Sequence, residues 1–181
     1  MLTIRDELHL AMGEFLTECS NLENVVVSLL MFCQPRRDFN EVYLEMLDKT
    51  FGARLREFKK ICGAYQFTAP HRATIDEAII GLDDLLPRRN LIIHGTTFEV
   101  SFGEKEAKAY RIGAPRGNIG YMHEFLRKAA DVEHSFSPEQ VREASADCRT
   151  LASKLGPIIG DLLKELVAAQ NPEGPRPPEQ D

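Results

Sequence analysis

The chain has 181 residues, 43% of them hydrophobic and 28% charged, which is enough for one sizeable core and too little for two ordinary domains. A formal net charge of −6 excludes a protein that coats nucleic acid through a broadly basic surface, while leaving room for a local basic cleft. Residues Met1 to Glu7 lack the basic start and unbroken apolar stretch of a secretory signal, and no segment reaches the roughly 18 apolar residues of a membrane span, so a soluble cytoplasmic protein with no membrane partner is expected.

Leu8, Met12, Phe15, Cys19, Leu22, Val26, Leu29 and Cys33 recur at spacings of four and three, one continuous helical stripe. It predicts a helix from near Thr3 to near Cys33, stopping before Pro35 because the residue ahead of a proline is pushed out of the helical region. A second pattern runs through Leu44, Leu47, Phe51, Leu55, Phe58 and Cys62, with Gly52 as the expected divide between a short helix and a longer one. Arg54, Glu57 and Lys60 fall on its outer side. A third starts near His71 and turns Ile75, Ile79, Leu82 and Leu86 inward until Pro87, where a kink or restart is expected. Arg88-Arg89-Asn90-Leu91-Ile92-Ile93-His94 follows on the last turns, with Gly95 placed as the stop.

The period then changes to two at Phe98, Val100 and Phe102, and Lys108 to Ile112 reads as a returning strand, so a small β-hairpin is expected at about 97–112. Residues 113–136 give no assignable pattern. Ser137-Pro138-Glu139-Gln140 is a helix start with an N-cap serine, a proline at the first position and a capping-box glutamine. Val141, Ala144, Cys148, Leu151, Leu155, Ile158, Leu162 and Leu166 form the stripe that follows, with a bend expected near Gly156-Pro157. The Pro-rich end, 169–181, has nothing to bury and is expected to be disordered. The elements together predict a mainly α fold, an up-and-down helical bundle over 1–168 with the hairpin inserted after the motif helix.

The segment Arg88 to Gly95 resembles the R-x4–6-H signature of HEPN (higher eukaryotes and prokaryotes nucleotide-binding) ribonucleases, in the form where a polar residue, here Asn90, directly follows the arginine. Arginine and histidine stand at comparable spacing at Arg116/His123 and Arg127/His134. Only Arg89 to His94 adds the asparagine, an apolar Leu91-Ile92-Ile93 and a helix end. The resemblance implies a homodimer in which two motifs meet and cleave RNA with no metal and no other cofactor. His94 would exchange a proton with the ribose 2′-OH or the leaving 5′-oxygen, a role suited to an imidazole that titrates near neutral pH. Arg89 would hold the phosphate, Asn90 would orient His94 or the substrate, and Arg88 is a second candidate for RNA contact. On helical geometry Asn90 and His94 share a face, while Arg89 lies about 140° around from His94.

Such a protein would be a toxin or defence effector restrained by an antitoxin protein. The alternative is a noncatalytic HEPN-like dimeric module that binds a nucleotide, an RNA or a protein partner, and a third reading is a helical scaffold in which Arg89 pairs with a carboxylate and His94 caps its own helix. Elsewhere, His9 and His71 read as surface or boundary residues. His123 and His134 have no metal-ligand spacing around them. Glu23 and Asn24 are expected to be exposed, with support of the site from a neighbouring helix left open. Arg36-Arg37 and the group Arg54, Arg56, Lys59 and Lys60 are further basic candidates that read as solvated helix faces. Cys19, Cys33, Cys62 and Cys148 lack zinc-site spacing and read as small buried apolar residues.

Overall fold

A computed structural model describes residues 3–34, 37–100, 108–112 and 135–170, over which the protein is mainly helical. The end 171–181, most of the unassigned 113–136, and the candidates Arg36, Arg116, His123, Arg127 and His134 lie outside the described residues.

Helix α1 (Ile4–Phe32) opens on Thr3, whose amide and hydroxyl donate to the Asp6 carboxylate at 2.9 and 2.7 Å. The hydroxyl bond holds the Asp6 carboxyl below the usual carboxylate range. The helix ends ahead of Pro35, and its apolar stripe is buried at Leu8, Phe15, Cys19, Leu22, Val26, Leu29 and Cys33. Ala11 is fully buried where Met12 was expected to be, and Met12 is half-buried.

Helix α2 (Phe39–Leu47) is capped by Asp38, which accepts from the amides of Asn40 and Glu41 at 2.7 and 3.2 Å. Helix α3 (Phe51–Ala64) starts after Thr50, whose hydroxyl accepts from the Ala53 amide. The division therefore falls at Asp48 to Thr50 rather than at Gly52, because a capping threonine starts a helix more effectively than an interior glycine breaks one. The shift changes which face of α2 is inward. Val42 and Met46 are buried, and the expected Leu44 and Leu47 are 61% and 48% exposed.

Helix α4 (Ala69–His94) passes through Pro87 with no restart, contrary to one of the two expected outcomes there. A proline costs a helix interior about 3 kcal/mol. Leu82, Leu85 and Ile92, each 2% exposed or less on the flanking turns, offset that at roughly 1.5–3 kcal/mol apiece. Strands β1 (Thr96–Val100) and β2 (Lys108–Ile112) pair antiparallel, with Thr96 opposite Ile112 and Val100 opposite Lys108. The link between them, 101–107, is outside the described residues. Strand β3 (Ser135–Phe136) joins the other edge of β2, with Arg111 opposite Phe136.

Helix α5 (Pro138–Gln170) begins with the capping box read from the sequence: the Ser137 amide donates to Gln140 Oε1 at 2.9 Å, and the Gln140 amide donates to Ser137 Oγ at 3.3 Å. It too continues through its internal proline, Pro157, between the buried Leu155 and Ile158.

The chain divides into two compact units, each discontinuous in sequence: Met1–Glu23 with Ile79–Leu151, and Asn24–Ala78 with Ala152–Asp181. In the first, Gly81 on α4 faces Leu151 on α5 so closely that a Cβ there would stand 2.8 Å from Leu151 Cδ2. In the second, the Arg54 guanidinium donates to the carbonyls of Met46 (2.7 Å) and Leu47 (3.2 Å), closing the end of α2. Arg72 does the same for α3, donating to the carbonyls of Cys62 (2.9 Å) and Tyr65. Both arginines thus satisfy carbonyls that a helix end leaves without an intrahelical donor. Arg54 is accordingly half-buried and engaged, unlike the solvated side chain expected of it.

The candidate site at the end of helix α4

Every residue of the motif falls within the first unit, on the last two turns of α4. Ile92 is fully buried and anchors these turns in the core, while Leu91 and Ile93 are half-buried. The apolar run thereby fixes the orientation of the polar residues around it. Asn90 and His94, four apart, are both exposed on one face. His94 is the last residue of the helix, and the buried Gly95 leads directly into β1.

Arg89 is turned away from that face, as the helical angle requires, and its side chain is 19% exposed. One Nη donates to Glu23 Oε1 of α1 at 3.0 Å, and the other stands 3.3 Å from Asn90 Oδ1. The guanidinium therefore links the end of α1 in this unit to the exposed face of α4. Arg88 takes a different route, donating to Asp147 Oδ2 of α5 at 2.7 Å between two largely solvated side chains. Arg149 of α5 pairs with Glu18 of α1 at 2.9 Å.

Glu23 is the residue whose position the sequence left open. Its side chain is 17% exposed and holds Arg89, whereas Asn24 is exposed as expected. The signal lay one helical turn away on either side, since the buried Cys19 and Val27 share the face of Glu23, whereas Asn24 follows the exposed Ser20. Asp147 and Glu18 carried no such signal, because only the folded chain brings them to their arginines.

All four cysteines are buried and free, in keeping with the sequence reading. The structure adds that Cys19 and Cys148 lie with Sγ atoms 3.6 Å apart. The hydrogen bond between the thiols lowers the Cys19 pKa and, with burial, raises that of Cys148; the Arg89 guanidinium further favours the Cys19 thiolate. His9 is exposed, and His71 is a partly exposed residue of the first turn of α4 with Nε2 3.3 Å from Asp161 Oδ2. Among the described residues no group of three or more His, Cys, Asp or Glu side chains is placed to hold a metal ion, and no helix is long and apolar enough to cross a membrane. The second unit carries a cavity of about 180 Å³ walled by Phe32, Phe39, Tyr65 and Leu162, remote in composition from the polar motif.

The arrangement pairs an exposed imidazole with an exposed amide one turn below it, beside a guanidinium held by a carboxylate. Chemically it offers a proton-transfer group and, where an anion takes the place of Glu23, a forked cationic donor. Comparison of the chain with protein-family models, curated proteins and solved structures found no match.

Proposed function

We propose that the chain is a metal-independent endoribonuclease of the HEPN type, a HEPN-like bundle with its hairpin inserted after the motif helix. The observation that carries this reading is the exposure of Asn90 and His94 on one face at the end of α4, with Arg89 fixed beside them by Glu23. In the reaction proposed, the ribose 2′-OH loses its proton to an imidazole and attacks the adjacent phosphorus. The 5′-oxygen leaves with a proton, and the products are a 2′,3′-cyclic phosphate and a 5′-hydroxyl. His94 serves the proton transfers. Arg89 stabilises the charge on the phosphate oxygens, Asn90 orients the imidazole or the RNA, and Arg88 contacts the strand further along. A homodimer would bring two motifs to one substrate, and a toxin or defence role restrained by an antitoxin protein is the setting that suits such an enzyme.

A second reading has one observation in its favour: Arg89 is already paired with Glu23, as in a module that binds a nucleotide, an RNA or a protein partner without cutting. The two part company on one experiment. Incubation of mixed RNA with the purified protein in EDTA is expected to produce new ends carrying 2′,3′-cyclic phosphate, and His94→Ala to slow this by about 100-fold or more, as loss of a general acid–base group does. Intact RNA with both proteins, each shown to be folded, would leave the binding module.

A further inference from the structure

We propose that Cys19 and Cys148 form a reversible disulfide, making this buried thiol pair an oxidative modification site whose reactant is a hydroperoxide. The geometry is the basis. The two Sγ atoms are 3.6 Å apart within one compact unit, on α1 and α5. A disulfide needs about 2.05 Å between sulfurs, so closure asks for roughly 1.5 Å of approach, within the reach of side-chain rotation and a small helix shift. The residues are 129 positions apart in sequence, and such a bond would tie the first helix to the last.

The surroundings divide the labour between the two thiols. Cys19 is one helical turn before Glu23, whose carboxylate holds Arg89, and the guanidinium charge acts on the Cys19 sulfur. A neighbouring arginine raises the thiolate fraction, and the thiolate is the form that attacks an oxidant. Cys148 has its thiol form favoured by the hydrogen bond with Cys19 and by burial, with Asp147 adding to both, while the carboxylates of Glu18 and Glu23 act against Arg89 at Cys19. With the guanidinium held one helical turn away by Glu23, Cys19 is assigned as the attacking sulfur and Cys148 as the resolving one. In the first step the Cys19 thiolate takes one oxygen from hydrogen peroxide, and with a proton gives a sulfenic acid and water. In the second, the Cys148 sulfur attacks the sulfenic sulfur, the S–S bond forms, and the hydroxyl leaves as water with the Cys148 proton. The two thiols are oxidised by two electrons in total, and one peroxide is reduced to two waters. A dithiol reverses the change by exchange.

The chain's other two cysteines supply the internal comparison. Cys33 and Cys62 are also buried and hydrogen-bonded to each other, in the second unit. There the pairing and burial together raise the Cys62 pKa despite the charge of Arg72. The first pair, whose Sγ atoms stand 3.6 Å apart, is the one assigned to oxidation, and the second pair serves as the control in the same digest. This inference does not depend on the RNA chemistry proposed above.

The test is to treat the reduced full-length protein with a small excess of hydrogen peroxide, block the remaining thiols with an alkylating agent in acid denaturant, and map the peptides by mass spectrometry without reduction. The expected result is a Cys19–Cys148 cross-linked peptide lacking two hydrogens, Cys33 and Cys62 still alkylated, a monomer on a nonreducing gel, and full reversal by a dithiol. In Cys148→Ser the cross-link should vanish while Cys19 becomes trappable as sulfenic acid by a dimedone probe. Cys148→Ala serves the same purpose should the serine variant fail to fold. Four alkylated cysteines after oxidation of the folded protein would overturn the proposal, as would a Cys33–Cys62 bond forming first.

Discussion

Arginines that end on backbone and arginines that end on carboxylates divide unevenly between the two units. In the second unit Arg54 and Arg72 end on backbone carbonyls, closing α2 and α3, while the exposed Arg37 pairs with Glu45 at 2.9 Å. In the first, Arg88, Arg89 and Arg149 end on the carboxylates of Asp147, Glu23 and Glu18. A carbonyl at a helix end is a fixed part of the backbone that the arginine ties down, so those contacts are structural. A carboxylate is one anion among several that a guanidinium can hold, and a phosphate is another. The lesson is that an arginine's partner, more than its exposure, tells whether it is available to a ligand.

Substitutions test this contrast, beginning with the core that carries the motif. Ile92→Ala removes a fully buried side chain and should cost about 2–5 kcal/mol in denaturant unfolding. Asn90→Ala, two residues earlier and exposed, should change stability by less than about 0.5 kcal/mol. Equal losses at both positions would mean that the helix face is misassigned. Arg72→Ala should cost about 2 kcal/mol by leaving the Cys62 and Tyr65 carbonyls without their charged donor. Arg72→Lys should recover little of this, because a single ammonium does not reproduce the fork. Smallest of all, Arg88→Ala gives up a solvated ion pair to Asp147 and should cost under about 1 kcal/mol, falling further in high salt. If thermal melts ranked Arg88 above Arg72, the division between structural and exchangeable arginines would be lost.

How far the sequence disclosed this can be judged residue by residue. The long helices were legible because seven-residue regularity persists over many turns, and the buried stripes of α1 and α5 follow it almost throughout. Helix α2 was not, since nine residues that include Val42, Tyr43, Leu44, Met46 and Leu47 are apolar on more than one side. The start of α3 at Thr50, and not a periodicity, sets which side turns inward. In α4 Ile75 and Leu82 are buried as expected, while the other two inward positions are displaced by one, with Ala78 and Leu85 buried where Ile79 and Leu86 were expected. Local chemistry read well at Ser137 and Gln140, whose reciprocal bonds span three residues. The motif's place on the last turns of α4 was also legible. Its partners were not: Glu23 is 66 positions from Arg89 and Asp147 is 59 from Arg88, separations that only tertiary packing closes. The same holds for Cys19 and Cys148, whose individual burial could be read but whose pairing could not.

The most direct test of the proposal that Arg89 holds an RNA phosphate, which would take the place of Glu23, is a fluorescence anisotropy titration of a short single-stranded RNA. It would compare wild type, Glu23→Gln and Arg89→Ala in EDTA, with a non-cleavable 2′-O-methyl backbone. Removing the Glu23 charge should tighten binding by about 5-fold, equivalent to ~1 kcal/mol, and removing the guanidinium should weaken it by about 10-fold. If all three folded proteins bind the RNA with the same Kd, Arg89 belongs to the structure alone and the end of α4 is not an RNA site.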